Sequence, residues 1–311
     1  MDYYFDQRSS CPVCEGTDEK LVISLPYSDP GMIGYLRDFY SHHYLEDINY
    51  LNNAQYKLIK CNLCKFIYQR EVPKPELLGR IYEKWINSEV AQELHYEHRR
   101  FRSVILSEEM YQIYSLFPSN VSREIKILDF GMGWGEFAIM AKAFGADAYG
   151  TDLSETRMQY GAKHFKVIRD LETADNDFDF INTEQVFEHL VDPMEVLTLL
   201  MSKLRRGAYL KISVPTALNI GARIKHFDLK SDKKSLYSIN PVAPLEHLNF
   251  FTRKTFSVMA SKVGAEVCTV PVMDQLSSMH FQIRKPKIFF GQLVKPFYRK
   301  FFSNYVFLKK F

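Results

Sequence analysis

The chain has 311 residues, of which 46% are hydrophobic and 25% are charged, and its net charge is +3. This composition is typical of globular proteins and excludes collagen-like, coiled-coil and mainly disordered chains. No apolar run reaches the roughly 18 residues of a membrane-spanning helix, and the polar, acidic start MDYYFDQRSS lacks the pattern of a secretory signal. We therefore expect a cytoplasmic protein, and the length suggests about two domains.

Four of the five cysteines form two C-x-x-C pairs, Cys11 with Cys14 and Cys61 with Cys64. Each such turn can place two thiolates on one metal ion, and two turns together complete the tetrahedral all-sulfur shell of structural zinc. A redox-active C-x-x-C usually opens a helix in a thioredoxin-like pattern, which this sequence lacks. A closed shell has no open coordination position, so we predict a structural Zn²⁺ in a module spanning residues 1–73.

A glycine-rich turn follows the polar, helix-like stretch 74–118, which we interpret as connecting helices. The strand EIKILDF leads directly into Gly131, Gly133 and Gly135 and then into the helix-like EFAIMAKAFG. Strand, glycine-rich turn and helix form the first unit of a doubly wound sheet, and the glycines let the backbone pass close to a ligand. The G-x-G-x-G spacing differs from the pyrophosphate-binding G-x-G-x-x-G and from the P-loop.

Strand and helix patterns then alternate as far as AYLKISVP, which argues for a parallel sheet in an α/β domain over residues 119–285. Asp129 places a carboxylate at the end of the first of these strands, and Asp152 ends the second. An acid at the end of the second strand suits hydrogen bonding to ribose hydroxyls, although Asp152 could instead cap the next helix. The third strand pattern ends at Asp170.

Over about 120–284 the sequence resembles the class I S-adenosylmethionine-dependent methyltransferases, through ILDFGMGWGEFA, YGTDLS, FDFINTEQVFEHLVDP and LRRGAYLKISVP. The resemblance implies a Rossmann-like, seven-stranded, mostly parallel sheet with S-adenosyl-L-methionine as cofactor. A NAD-dependent dehydrogenase is the competing interpretation, and the glycine spacing disfavours it. By resemblance, the methionine part is held by Asp129, Gly131, Gly133 and Gly135, the ribose by Asp152, the adenine near Asp170 and Leu171, and the amino-acid end near Thr183 and Gln185.

The residues after the fourth strand indicate which acceptors are disfavoured. They read Asn182-Thr183-Glu184-Gln185, not the Asn/Asp-Pro-Pro-aromatic motif associated with methylation of the adenine amino group. No Pro-Cys occurs, which disfavours methylation of cytosine at carbon 5. These departures favour a small-molecule or glycan acceptor.

A long, loop-rich segment, 216–250, follows the strand AYLKISVP, and its length predicts a lid or substrate-binding element. It closes with EHLNFFT, which is similar to a string in the zinc-containing sugar methyltransferases of deoxysugar pathways. There the matching histidine lies at the active site and can act as a base, so His247 is our first candidate for the base that deprotonates the acceptor. His189 is the second candidate, and simple packing or capping is the alternative for both.

The N-terminal segment YKLIKCNLCKFIYQREVPKPELLGRIYEKW is similar to the zinc-binding segment of the same enzymes. By this resemblance Tyr82 would lie over the cofactor. The sequence departs from the group at Lys65, where those enzymes usually have glycine, and at Pro244, where they have tyrosine. The architecture is therefore better indicated than the sugar substrate.

The C-terminal segment is basic and aromatic, with eight cations and no acid after Asp274. Phenylalanine and tyrosine recur through 286–311 at spacings that approximate one face of a helix. A basic amphipathic helix suggests peripheral contact with an anionic membrane. Docking of the helix on the domain is the alternative, and nucleic-acid contact is the least favoured interpretation because the rest of the chain is acidic.

Together these features predict a cytoplasmic enzyme, working at the inner face of the membrane if the tail is interfacial. It would methylate a small molecule or glycan, with a nucleotide-linked sugar or lipid-linked surface glycan favoured. A zinc-finger ribosomal-RNA methyltransferase and a non-catalytic binding module with the same fold are the alternatives. The intact set of predicted cofactor residues argues against the binding module.

Overall fold

The chain divides into two compact units, each assembled from segments that are distant in sequence. The structure is a computed structural model that describes residues 4–40, 42–85, 88–117, 123–175, 177–232, 235–281, 283 and 286–311, with backbone only for 42–46, 83 and 88–100. Unit 1 comprises Met1–Tyr96, Glu188–Pro193 and Pro215–Val258, and unit 2 comprises Glu97–Phe187, Met194–Val214 and Met259–Phe311.

The strands and helices of the described residues are numbered in chain order. The strands are β1 (Phe5–Gln7), β2 (Glu19–Pro26), β3 (Gln55–Cys61), β4 (Ile67–Gln69), β5 (Glu71–Pro73), β6 (Lys126–Phe130), β7 (Asp147–Thr151), β8 (Lys166–Val167), β9 (Phe178–Glu184), β10 (Leu204–Ser213), β11 (Asn249–Phe250), β12 (Ala265–Cys268) and β13 (Tyr305–Lys310). The helices are α1 (Pro30–Tyr40), α2 (Pro75–Arg80), α3 (Ser88–Tyr114), α4 (Glu136–Ala143), α5 (Glu155–Gly161), α6 (Pro193–Lys203), α7 (Ile220–His226), α8 (Arg253–Lys262), α9 (Val272–Ser277) and α10 (Pro286–Phe301). Shorter 3₁₀ segments cover His42–Leu51, Phe187–His189 and Asn240–Val242, and a π-helical turn covers Ile81–Trp85.

Unit 1 is built on a four-stranded sheet in the order β11-β4-β3-β2, in which each described pair is antiparallel, with β1 and β5 forming a separate pair. Its core is aromatic, and the hydroxyl of Tyr56 donates to the Val242 carbonyl over 2.6 Å. The strand β11 reaches this sheet from late in the chain and pairs Asn249 with Tyr68. Buried core residues of unit 1 include Tyr27, Tyr40, Tyr56, Trp85, Ile224, Ile239, Val242, Leu245 and Phe250.

The predicted boundaries 1–73, 74–118 and 119–285 therefore need a correction. The segment 216–250 was expected as an insertion in the α/β domain, yet it belongs to unit 1, because its apolar side chains pack in the aromatic core of that unit. Contact between segments far apart in sequence, rather than chain order, sets the division.

Unit 2 contains a seven-stranded sheet in the order β12-β13-β10-β9-β6-β7-β8. The five strands from β10 to β8 run parallel, and β13 runs antiparallel to both of its neighbours. The strand β9 is central and nearly all of its residues are buried, as expected of a parallel strand covered on both faces. The predicted doubly wound, mostly parallel, seven-stranded sheet is confirmed.

The C-terminal segment needs a second correction, because 286–311 is not one amphipathic tail. Its first part forms the helix α10, but its last residues form β13, which lies between β12 and β10. Val306, Phe307 and Leu308 are at most 1% exposed there, and since successive side chains of a strand point to opposite faces, both faces of β13 are covered. Within the described parts of the chain, no helix has the length and apolarity needed to cross a membrane.

Candidate functional site

The two C-x-x-C turns of unit 1 have the same backbone geometry. The Cys11 amide donates to the Gly16 carbonyl over 3.0 Å and the Glu15 amide donates to the Cys11 carbonyl over 2.8 Å, and the second turn repeats both bonds at Cys61 and Lys65. Glu15 and Lys65 each follow a cysteine pair and have φ values of 62° and 63°. This left-handed conformation is the one that favours glycine.

The four predicted ligands come together as a compact sulfur cluster. The Sγ atoms of Cys11 and Cys64 are 3.5 Å apart, as are those of Cys14 and Cys61, and all four lie within 4.8 Å of one another. Tetrahedral bonds of about 2.3 Å to zinc require sulfur separations of about 3.8 Å, so the set fits this ion. The hydrogen bond from Cys64 lowers the pKa of the Cys11 thiol to about 5, and the same bond raises the pKa of Cys64. Within this hydrogen-bonded pair, the negative charge is thus favoured on Cys11 rather than on Cys64.

The two candidate histidines, His189 and His247, lie together in unit 1. The His189 Nδ1 atom is 2.8 Å from the Glu246 carbonyl, His247 bonds through Nδ1 to the Asn240 carbonyl, and the ring centres are 5.0 Å apart. Because a carbonyl only accepts, each Nδ1 carries the proton, and each neutral imidazole keeps a lone pair on Nε2. Burial lowers the pKa of His189, which favours that neutral form.

A buried carboxylate completes this group. Glu188 is 0% exposed, and its Oε1 atom lies 3.9 Å from the Nε2 atom of His189. One ligand atom from each of Glu188, His189 and His247 lies within 4.8 Å of the other two. The ring of Tyr82 stands edge-on to His189 with ring centres 6.5 Å apart. The sequence singled out the two histidines, and the structure adds Glu188 as their neighbour.

Arg8 holds the two histidine-bearing segments together, and sequence reasoning missed it. Its guanidinium donates to the carbonyl of Leu190 over 3.1 Å, to that of Leu248 over 3.4 Å, and to Asn249 Oδ1 over 3.0 Å. These acceptors follow directly after His189 and His247. Burial lowers the pKa of Arg8 to about 10, so the side chain stays charged at neutral pH. A single arginine near the N-terminus carries no spacing signal by which it could have been found.

In unit 2, the predicted cofactor loop follows β6. Gly131, Gly133 and Gly135 all have positive φ, at 71°, 55° and 73°. A Cβ on Gly131 would lie 2.5 Å from the Val186 side chain, whereas a Cβ on Gly133 would meet nothing within 4 Å. The backbone at Gly133, unlike that at Gly131, therefore has open space beside it that a ligand could occupy.

Asp152, at the end of β7, fastens this loop. One carboxylate oxygen accepts the Gly133 amide and the other accepts the Ser154 amide, both over 2.9 Å. The helix α5 is capped by Ser154, whose hydroxyl accepts from the Arg157 amide, so Asp152 is not the cap. The carboxylate still has lone pairs for a ribose hydroxyl.

Asp129 lies beside Asn182 in the middle of the sheet. The Asn182 side-chain amide donates to Asp129 Oδ1 over 2.7 Å. The carboxyl is 3% exposed, and this burial raises its pKa to about 7 despite the hydrogen bond. A carboxyl that titrates near neutral pH next to a glycine-rich loop is a functional-site candidate.

The remaining predicted cofactor residues have different surroundings. Asp170 is exposed and accepts the Glu172 amide over 2.9 Å, while Leu171 is buried. Thr183 is buried and its hydroxyl donates to the Lys211 carbonyl over 2.9 Å. Gln185 follows β9 directly and has a φ of 54°. The hydroxyl of Thr183 is thus engaged inside the sheet, whereas the side chain of Gln185 is exposed.

A fully buried lysine, Lys211, is the second feature that the sequence did not predict. Its ammonium forms ion pairs with Glu109 and, over 3.1 Å, with Glu184, and the Tyr305 hydroxyl donates to Glu109 over 2.8 Å. Burial alone would lower the pKa of Lys211, but the two carboxylates outweigh it and raise that pKa. Lys211 in turn lowers the pKa of Glu184. The ion pairs therefore keep both groups charged at the end of β9.

The comparisons with known proteins point to one family. A family model described as "Methyltransferase domain" matches residues 96–270. No match was found among curated proteins.

A solved structure gives the same indication for the fold. The plantazolicin methyltransferase BpumL, in complex with a pentazolic desmethylPZN analog and SAH, is 16% identical with a TM-score of 0.50, and the alignment covers 75% of this chain and 94% of that chain. A SAM-dependent methyltransferase from Archaeoglobus fulgidus is 18% identical with a TM-score of 0.39, over 68% and 96% of the two chains. At these identities, the likeness to BpumL supports a shared fold and nothing more specific.

Proposed function

Because the chain belongs to the methyltransferase-domain family, whose model spans more than half of it, we propose a methyl acceptor of the small-molecule or glycan class. The protein is an S-adenosylmethionine-dependent methyltransferase. A nucleotide-linked sugar or a lipid-linked surface glycan is the favoured acceptor. One observation supports this function above all: His189 and His247 of unit 1 share a tautomer in which Nδ1 donates to a backbone carbonyl and Nε2 is the basic nitrogen.

His247 removes the acceptor proton in this mechanism. A bound S-adenosylmethionine would supply the methyl group: as the acceptor oxygen or carbon bonds to the methyl carbon, the carbon–sulfur electron pair would stay on sulfur and the sulfonium charge would be lost. The acceptor proton would pass to Nε2 of His247, and the resulting imidazolium would carry that positive charge. The Asn240 carbonyl holds the Nδ1 proton and orients the ring, and such positioned bases contribute typically 10²–10⁴-fold to a rate. His189 is the second candidate for this role.

The cofactor is held by residues of unit 2. Gly133 supports this role, since its positive φ and open Cβ position let a ligand approach the backbone. Asp152 binds the ribose with the carboxylate that already fastens the loop. The methionine part lies near Asp129, and the other contacts come from Gly131, Gly135, Asp170, Leu171, Thr183 and Gln185.

Zinc has a structural role in unit 1. Cys11, Cys14, Cys61 and Cys64 would fill all four positions of a tetrahedral ion, which leaves none for a substrate. The ion would join the N-terminal turn to the end of β3, and thereby order the start of the chain around Arg8.

The helix α10 rests on an anionic membrane surface. Its exposed side chains combine large apolar groups with the cations Lys287 and Lys300, which is the chemistry of an interfacial helix. Since β13 is a strand of the sheet, truncation of 286–311 would not test this contact. The exposed apolar residues of α10 are Ile288, Phe290, Val294, Phe297, Tyr298 and Phe301, and the exposed Phe302 follows the helix directly.

Vesicle sedimentation tests the membrane contact by point substitution. The variant F290S/F297S should sediment less than the wild type with vesicles of phosphatidylglycerol and phosphatidylcholine, and its melting temperature should be retained. Y111S, which alters an exposed aromatic residue of α3, serves as the control. Equal sedimentation of the wild type with and without vesicles would remove the proposed contact.

The methyl acceptor is tested with a methyl-labelled cofactor. Purified protein is incubated with labelled S-adenosylmethionine and separate cell fractions of nucleotide sugars, lipid extract and RNA. We expect label in the sugar or lipid fraction. Label in RNA alone would overturn this assignment and support the ribosomal-RNA alternative.

A further inference from the structure

Glu188, His189 and His247 form a cluster in which each residue offers one potential metal-ligand atom. Glu188 and His247 are buried, and the three ligand atoms lie within 4.8 Å of one another. Both histidines have their Nδ1 protons committed to backbone carbonyls, so neither neutral ring can donate through Nε2. Each neutral ring therefore has Nε2 as its electron-pair donor, and neutral imidazole is the form in which histidine binds a metal ion.

We propose that this cluster is a second metal site, distinct from the four cysteines, which binds a divalent first-row transition-metal ion. Two imidazole nitrogens and one carboxylate oxygen are a donor set that suits zinc, iron or cobalt. Three protein ligands leave a coordination position open, in contrast to the closed cysteine site. No other group of three or more potential ligands is found in the part of the chain that the structure describes.

The surroundings of the histidines support this assignment independently. Metal-bound histidines almost always donate their second ring proton to a carbonyl or carboxylate, which fixes the tautomer and the ring orientation. His189 and His247 both have such a carbonyl, from Glu246 and Asn240. Arg8 binds the carbonyls of the residues that follow each histidine, so the two rings are held by one buried side chain.

Bound metal would regulate the proposed reaction. This part of the inference rests on the proposed function, because the metal and the acceptor proton require the same lone pair on His247. A cation on Nε2 blocks proton removal, so methyl transfer falls as the second site fills. The cysteine site does not compete, since its ligands are separate.

Cobalt binding tests the site without reference to activity. Full-length protein with zinc in its cysteine cluster is titrated with Co²⁺, with calorimetry and visible absorption as readouts. We expect one Co²⁺ per chain, with absorption typical of nitrogen and oxygen ligands rather than thiolates. E188Q, H189A and H247A should each weaken the affinity by more than about 100-fold, whereas H226A, which alters an exposed histidine of unit 1, should not. Circular dichroism shows whether each variant is folded.

The outcomes separate the metal site from the catalytic proposal. No Co²⁺ binding by the folded wild type, or binding that survives all three substitutions, overturns the site. Inhibition is measured relative to each variant's own rate without added metal, and Zn²⁺ should inhibit the wild type more than E188Q. Metal that binds without slowing methyl transfer overturns the competition. If H247A loses Co²⁺ but keeps full turnover, the site stands and the base assignment fails.

Discussion

Units 1 and 2 build their candidate sites in different ways. In unit 2 the predicted cofactor residues lie near the carboxyl ends of the parallel strands of one sheet or in the segments that follow them, and adjacent strand ends bring them together. In unit 1 the histidines come from segments almost 60 residues apart in the chain, and Arg8 joins them through hydrogen bonds that span more than 180 residues. A repeating strand–helix pattern thus indicates where site residues gather, whereas a site held by a buried side chain leaves no pattern in the sequence.

Loss of zinc should produce the largest difference in stability between the two units. In a W134F background, Trp85 is the remaining tryptophan, and it is buried in unit 1. C61S should abolish zinc binding, and unit 1 should unfold because structural zinc supplies about 10–16 kcal/mol in zinc-finger peptides. Metal analysis and Trp85 fluorescence measure both effects. C268S is the control, and zinc retained by C61S would contradict the four-cysteine site.

Asp129 should make the stability of unit 2 depend on pH. The folded protein keeps the Asp129 proton up to about pH 7, whereas the unfolded chain releases it near the ordinary pKa of 3.8. The folded state therefore binds more protons in this window, and stability falls as the pH rises from about 4 to about 7. The difference reaches at most about 4 kcal/mol, at 1.36 kcal/mol per pKa unit.

D129N removes this titration. Its free energy of unfolding, measured with urea, should exceed that of the wild type at pH 8, and the gap should close toward pH 5. D175N, at a side chain that is 84% exposed, should not reproduce the trend. A gap that is constant from pH 5 to pH 8 would contradict the raised pKa.

Substitutions of Arg8 test whether the candidate catalytic group of unit 1 depends on one positioning residue. R8M should lower turnover by about 100-fold, because misplacement of a catalytic group by about 1 Å has an effect of this size. Cofactor affinity should not change, since the proposed cofactor residues belong to unit 2. R8K should recover part of the turnover, and R37M, at an exposed arginine of unit 1, should have wild-type kinetics. Equal turnover in R8M and R37M would remove the positioning role.

The glycine loop of unit 2 can be tested with a matched pair of variants. Gly133 and Gly145 both have positive φ and nothing within 4 Å of a Cβ. G133A and G145A should therefore each lose about 1 kcal/mol of stability from backbone strain. Only G133A should also weaken S-adenosylmethionine binding, by about 10-fold in calorimetry. Similar affinities in the two variants would exclude Gly133 from the cofactor site.

The fold was predictable from sequence where one pattern repeated. Alternating strands and helices gave the parallel sheet of unit 2, and the paired C-x-x-C turns led to the sulfur cluster. The boundaries were wrong because segment 216–250 packs in unit 1 and because β13 completes the sheet. Both depend on long-range pairing of short apolar runs, which periodicity alone does not specify.

The candidate site was predictable only in part. His189 and His247 could be singled out by resemblance, and their proximity is a property of the folded chain. Glu188, Arg8 and Lys211 were not recognised as functional candidates, because a charged residue in a sequence gives no sign that it will be buried and bonded. Their roles depend on partners from other segments.

The H247A variant tests most directly the proposal that unit 1 removes the acceptor proton and unit 2 binds the cofactor. Turnover and cofactor affinity are measured in parallel for H247A and for the exposed-site control H226A. We predict that H247A lowers turnover by about 10²–10⁴-fold and leaves the calorimetric affinity for S-adenosylmethionine unchanged, while H226A alters neither. Full turnover in a folded H247A variant would contradict proton removal by unit 1.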